Sequence, residues 1–225
     1  MLKRVAAVLT LLHVVPAAAQ TTEDAQFWLN VTAMGRVSEN GPLYFMEIQP
    51  RLSGGAKTEA VLLRGAIGLQ ATPRLSIYQG YSRILLPVEG PGDRGENRSF
   101  QQVMWNAGRV GPFDFSTRTR FEQRWLSDGD DMGLRFRNML RFRLPLRRDR
   151  TGIGLLGWSE TFVALNDTDW GARKGFDQQR TFAGFELPAG GRSTVEAGYL
   201  NHYVDQGNGA ARMNHVASLT VFIRQ

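Results

Sequence analysis

The sequence contains no cysteine, so its 225 residues can build neither a disulfide framework nor a thiolate metal site. Histidine is nearly as scarce, and beyond the first twenty positions only His202 and His215 remain. Past residue 19 there is no apolar stretch of about 18 residues or more, which excludes a helical membrane span. Runs with helical periodicity are missing too. Lysine is rare, and all but three of the 27 basic residues are arginine.

The N-terminus carries Lys3 and Arg4, an apolar segment over 5–15, then Pro16 and the small residues Ala17, Ala18 and Ala19. This order is that of a secretory signal peptide covering residues 1–19, with Sec-type export and a mature chain from Gln20. The apolar core is shorter than the roughly 20 residues a bilayer-spanning helix needs. Loss of Lys3 and Arg4 takes the net charge from +6 to +4. Acids are threaded among the bases and the chain is exported, so nucleic acid is not expected as a partner.

What the sequence does have is alternation. Over 113–125, Asp114, Ser116, Arg118, Arg120, Glu122 and Arg124 share one parity, with Phe113, Phe115, Phe121 and Trp125 on the other. Over 134–144, Arg135, Arg137, Arg141 and Arg143 oppose Leu134, Phe136, Leu140, Phe142 and Leu144. A helix scatters such arginines around its axis, whereas a strand places residues i, i+2 and i+4 on one face. A wall with water on one side and lipid on the other fits this pattern.

Turn-rich segments divide the mature chain, a single domain over 20–225, into eleven candidate strands at 27–37, 43–52, 59–71, 75–87, 98–110, 113–126, 133–146, 153–166, 178–187, 193–205 and 213–224. Their lengths suit tilted bilayer crossings of about 9 to 11 residues. Connections alternate in character: short at 72–74, 111–112, 147–152 and 189–192, longer and polar at 88–97, 127–132, 167–177 and 206–212. The expected fold is therefore an all-β, antiparallel, up-and-down barrel of the bacterial outer membrane, with short turns and the C-terminus in the periplasm and longer loops outside. Single-chain bacterial barrels have even strand numbers, so eleven candidates leave ten or twelve, according to whether 27–37 is a full crossing. Trp105, Trp125, Trp158, Tyr199 and Tyr203 fall on strands, where aromatic rings suit the headgroup layer.

Placing each strand's polar parity inward collects Glu47, Gln49, Arg51, Arg64, Arg118, Arg120, Glu122, Arg124, Arg135, Arg137, Arg141, Arg143, Glu160, Arg180, Glu186 and Glu196 in the lumen. The leading reading is a salt-bridged brace, because enclosed charges must be paired or hydrated and arginine's planar fork holds two oxygens at once. A sharper alternative is a path for small anions, since bases outnumber acids in this set. A lipid-modifying hydrolase would need His202 to meet Ser159 or Ser218, with Glu160 or Glu196 orienting the ring. Asp128, Asp130 and Asp131 read as a solvated turn rather than a calcium loop, for they lack the EF-hand spacing.

Several short motifs recur in a fixed order: Glu23-Asp24 with Trp28, Glu47, Gln49 and Arg51, Gly80-Tyr81, the row Arg120, Glu122 and Arg124, Arg135-Phe136-Arg137, Ser159-Glu160, and Gly198-Tyr199. In these the chain resembles the domain-of-unknown-function 2490 family of predicted outer-membrane β-barrel proteins, over nearly the whole mature length. The resemblance implies an outer-membrane barrel and no established activity. The chain departs from common barrel practice at its end, where Ile223, Arg224 and Gln225 follow Phe222. The expectation is thus a non-enzymatic structural or small-solute barrel without a cofactor. Its partners would be outer-membrane lipid, the barrel-assembly machinery during insertion, and a small anionic solute. An exported periplasmic β-sandwich is the rival fold.

Overall fold

The computed structural model describes residues 21–87, 94–207 and 209–225; the expected leader and Gln20 lie outside them. The period-two pattern resolves into eleven strands. They are β1 (Thr21–Arg36), β2 (Leu43–Ser53), β3 (Thr58–Thr72), β4 (Leu75–Leu86), β5 (Arg94–Val110) and β6 (Phe113–Leu126), then β7 (Gly133–Pro145), β8 (Gly154–Ala164), β9 (Gly175–Pro188), β10 (Thr194–Gly207) and β11 (Ala210–Arg224). Each strand pairs with its sequence neighbour in antiparallel fashion, and β1 closes on β11 to complete one barrel. A two-sheet sandwich is thereby excluded.

The expected even parity does not hold. Residues 21–36 form a full strand, so the count is eleven, and closure of an odd up-and-down barrel requires one parallel pair. That pair is β1 with β11, in register from Thr21 opposite Ala211 to Met34 opposite Arg224. The barrel consequently has an N-terminal rim, where β1 begins, and a C-terminal rim, where β11 ends. The connections at 37–42, 73–74, 111–112, 146–153 and 189–193 gather at the C-terminal rim; those at 127–132 and 165–174 belong to the N-terminal rim.

Two expected loops are shorter than their composition suggests. β5 begins at Arg94, so the polar run 94–97 is strand. Of the 206–212 segment, 206–207 belong to β10 and 210–212 to β11, while Asn208 and the rest of the expected 88–97 loop, residues 88–93, lie outside the described residues.

Alternate residues face in and out along every strand, as pleating demands. Phe27, Met46, Ile67, Trp125, Phe136, Phe185 and Tyr199 are among the large apolar side chains exposed on the outer surface. Of the five strand aromatics expected in the headgroup layer, Trp158 departs from the outer face. It turns inward and stacks on Phe182 at 5.4 Å between ring centres. On β8 the inner parity carries Leu156, Trp158 and Phe162 beside Glu160, and the outer parity Gly157, Ser159 and Thr161 beside Leu155 and Val163, so only the charge of Glu160 orients that strand from sequence.

Polar side chains on the outer face of β4 to β9 are tied to one another. Gln123 donates to Gln101 at 3.0 Å, Gln101 to Gln79 at 2.8 Å, and Gln79 to the Ser99 hydroxyl at 3.1 Å. Asn138 donates to Thr119 at 2.9 Å, and Gln179 donates to Ser159 and accepts from Thr161, both at 2.6 Å.

The Gly-Tyr dipeptides of β4 and β10 have a common structural cause. A Cβ at Gly80 would lie 2.2 Å from the Phe100 ring, and one at Gly198 would lie 2.4 Å from the Ala183 carbonyl and 2.9 Å from the Phe182 ring. In each case the missing side chain lets an inward aromatic ring from a neighbouring strand lie against the backbone. Tyr81 and Tyr199, next in sequence, point outward and are exposed.

Candidate functional site

The lumen is divided along its axis. In the half nearer the N-terminal rim, arginines and carboxylates interlock across the cross-section. Glu96 accepts two hydrogen bonds from Arg98, at 2.8 and 2.7 Å, and one from Arg124 at 2.5 Å. Below it Glu122 takes Arg135 at 2.6 Å through one oxygen and Arg137 at 2.6 Å through the other, with Arg120 3.6 Å away. Arg135 reaches on to Asp177 at 3.0 Å. Arg137 bridges from Glu122 to Glu160 at 2.8 Å, and Glu160 also holds Arg118 at 2.9 Å. Glu47 and Arg64 form a buried pair on β2 and β3. Arg120, Glu122, Arg135, Arg137 and Glu160 are each almost completely buried.

Aromatic faces fill the spaces between these ion pairs. The Arg120 guanidinium lies 4.3 Å over Phe100, and Arg137 and Arg180 lie 4.4 and 4.6 Å from the Phe162 ring. Trp28 carries Arg51 at 3.8 Å and Arg180 at 5.1 Å. Such contacts suit guanidinium, which is planar and weakly hydrated.

The half nearer the C-terminal rim is hollow. A cavity of about 850 Å³ runs from Arg36, Arg74, Arg192 and Arg224 at the rim up to Trp28, Arg64, Arg137, Glu160 and Arg180. Arg51, Glu96, Arg98, Arg124 and Arg135 are not among its lining residues, so the interlocked layer forms its roof. Along its side, Arg141 is held by Glu186 and, at 2.7 Å, by Glu196. Arg143 lies 2.5 Å from Glu186.

The fifteen charged residues assigned to the lumen from sequence are each buried or half-buried. Sequence reasoning missed Glu96, Arg98 and Asp177, which complete the roof. Glu96 and Asp177 fall in the polar runs 88–97 and 167–177, whose composition reads as loop, and Arg98 opens an expected strand without being assigned to the lumen.

Among the described residues no hydrogen bond joins His202 to Ser159, Ser218, Glu160 or Glu196. His202 is buried, its Nδ1 3.1 Å from Asn214 and its Nε2 3.0 Å from Gln178. Ser159 lies on the opposite face of the wall, bonded to Gln179, and Glu160 is occupied by arginines. At the N-terminal rim the acidic loops serve each other: Asp169 accepts from the backbone N–H of Asp130 at 2.8 Å and of Asp131 at 3.2 Å, while Asp131 accepts from Asp169 N–H at 2.8 Å. Chiefly the Asp130 N–H holds the Asp169 carboxyl below its usual range. The Trp170 indole donates to the Asp131 carbonyl at 2.8 Å, and Asp128 pairs with Arg94 at 2.9 Å.

A closed single-wall barrel with an apolar outer surface and an ion-paired interior defines the class. Within that class, the family model described as protein of unknown function (DUF2490) matches residues 25–214, and the chain belongs to that family. An uncharacterised protein of Methylorubrum extorquens is 44% identical over 209 residues, covering 92% of this chain and 91% of its own length.

Proposed function

We propose that the protein is an integral, non-enzymatic outer-membrane barrel that is sealed in its N-terminal half and receives a small anionic solute in its C-terminal half. The observation that carries this reading is the opposition of the wall's two faces: apolar rings outside, interlocked guanidinium and carboxylate groups inside. In water the outer rings would form an exposed apolar surface of a size monomeric soluble proteins avoid. In lipid they are solvated, and the hydrogen-bonded outer glutamines, serines and threonines meet the demand that polar groups there be satisfied internally.

The longer polar loops of the N-terminal rim face outward in this reading and the hollow half opens to the periplasm, with delivery by Sec-type export and insertion by the barrel-assembly machinery. The sealed layer favours retention of a solute over a continuous anion path. Heat-modifiable gel migration and extraction from membranes only by detergent are the expected behaviours; release by osmotic shock would sink the membrane assignment. In a planar bilayer the refolded protein is expected to give no conductance steps. Anion-selective steps, abolished by Arg137→Gln with Arg141→Gln, would replace the sealed barrel by an anion channel.

A further inference from the structure

We infer that the hollow half of the lumen is a binding site for amphipathic anions, that is, molecules with one carboxylate or phosphate head on an apolar body. This deepens the proposed reading by naming the solute class, yet the site's geometry does not depend on the membrane assignment.

Charge is the first argument. The cavity is lined by nine arginines against four glutamates. Arg64, Arg118, Arg137 and Arg141 are engaged by carboxylates. The other five, Arg36, Arg74, Arg180, Arg192 and Arg224, have no carboxylate oxygen within 4.0 Å among the described residues. Four of these surround the mouth and one, Arg180, stands at the inner end. A basic mouth leading between low-dielectric walls focuses the field and draws anions inward.

Arg180 is the built part of the site. It is 9% exposed and clamped by the rings of Trp28 and Phe162. The one described protein hydrogen bond of its guanidinium is a long one, 3.4 Å to Gln178, and its Nε has no partner. A buried guanidinium left in this state offers donors to an incoming head group, and charge-assisted bonds to carboxylate or phosphate are among the strongest it can make.

The second argument is apolar. Leu43, Phe45 and Tyr78 form a cluster with Met34 and Met104 packed against it, and all five line the cavity on the β1 to β5 side. Arg118, Arg137, Arg141 and Arg180 of β6 to β9 line it elsewhere together with Met139 and Trp158, and Arg64 of β3 stands beside the apolar cluster. A purely inorganic anion has no use for that surface, whereas a cavity of this size with one apolar wall and a few convergent polar groups is the usual form of a small-molecule site.

The test uses refolded full-length barrel in detergent, shown to be folded by heat-modifiable migration, with calorimetric titration of four water-soluble probes. Phenyl phosphate is expected to bind at least tenfold more tightly than inorganic phosphate or phenol, and phenyltrimethylammonium not at all. Arg180→Gln is expected to weaken phenyl phosphate at least tenfold and leave phenol unchanged. Should that variant fail to refold, Arg192→Gln with Arg224→Gln at the mouth is expected to lower affinity and flatten its salt dependence. Folded protein that ignores phenyl phosphate, or takes inorganic phosphate or the cationic probe equally well, overturns the inference. Selective binding by a protein that proves to be periplasmic keeps the site and removes only the membrane reading.

Discussion

The two halves of the lumen use the same residue for opposite ends. In the N-terminal half Glu96, Glu122, Glu160 and Asp177 stand among Arg98, Arg118, Arg124, Arg135 and Arg137, so each of these guanidiniums finds a carboxylate, while Arg51 beside them bonds Gln49 and lies on Trp28. In the C-terminal half most arginines have none, and the space between them is open. Whether arginine seals a barrel or equips it to bind is decided by the local supply of acids.

The largest effect should come from breaking the ion-paired half. Glu122→Ala leaves Arg135, Arg137 and Arg120 facing one another without their shared carboxylate. Removing one side of a buried pair costs about 3–5 kcal/mol, so urea unfolding of the refolded barrel is expected to lose about that much. A loss below about 1 kcal/mol would mean that water already screens this layer, and the distinction between halves would fail.

A smaller effect is expected in the open half. Arg180→Gln removes a cation with no paired acid and sacrifices mainly its contacts with Trp28 and Phe162. The expected destabilisation is about 1–2 kcal/mol, the scale of a desolvated cation–π contact. A loss equal to that of Glu122→Ala would show that both halves are braced alike.

The smallest effect concerns the loops above the ion-paired half. Because the Asp169 carboxyl is lowered in the folded state, its contribution is present above the ordinary aspartate value of about 3.9 and is lost as pH falls through the lower folded value. Trp170 fluorescence is expected to hold steady from neutral pH down to about 4 and change below it. Asp169→Asn should remove that acid transition, with global unfolding at neutral pH unchanged. A Trp170 signal insensitive to both would dissolve the proposed clasp.

The wall was legible in the sequence because pleating imposes a period of two, and the rows at 113–125 and 134–144 follow it apart from Thr117, Thr119, Gln123, Asn138 and Met139. Trp158 escaped because β8 carries its larger apolar groups on the luminal side, where they pack with Phe182. Glu96 and Asp177 escaped because short polar runs beside turns look alike whether paired in a sheet or free. The division into roof and cavity was not readable at all. It depends on which carboxylate on one strand reaches which guanidinium two or more strands away, as Arg135 does from β7 to Asp177 on β9. Strand parity was hidden for a similar reason, since pairing between the first and last strands leaves no local mark in composition.

That parallel pairing has a practical consequence. It places Thr21 and Arg224 at opposite mouths of the cylinder, so the backbone cannot be circularised by a short peptide without crossing the barrel's full height. Reporter tags fused to the two ends would sample different compartments if the barrel spans a membrane, and their opposite accessibility in intact cells would read the orientation of the protein directly.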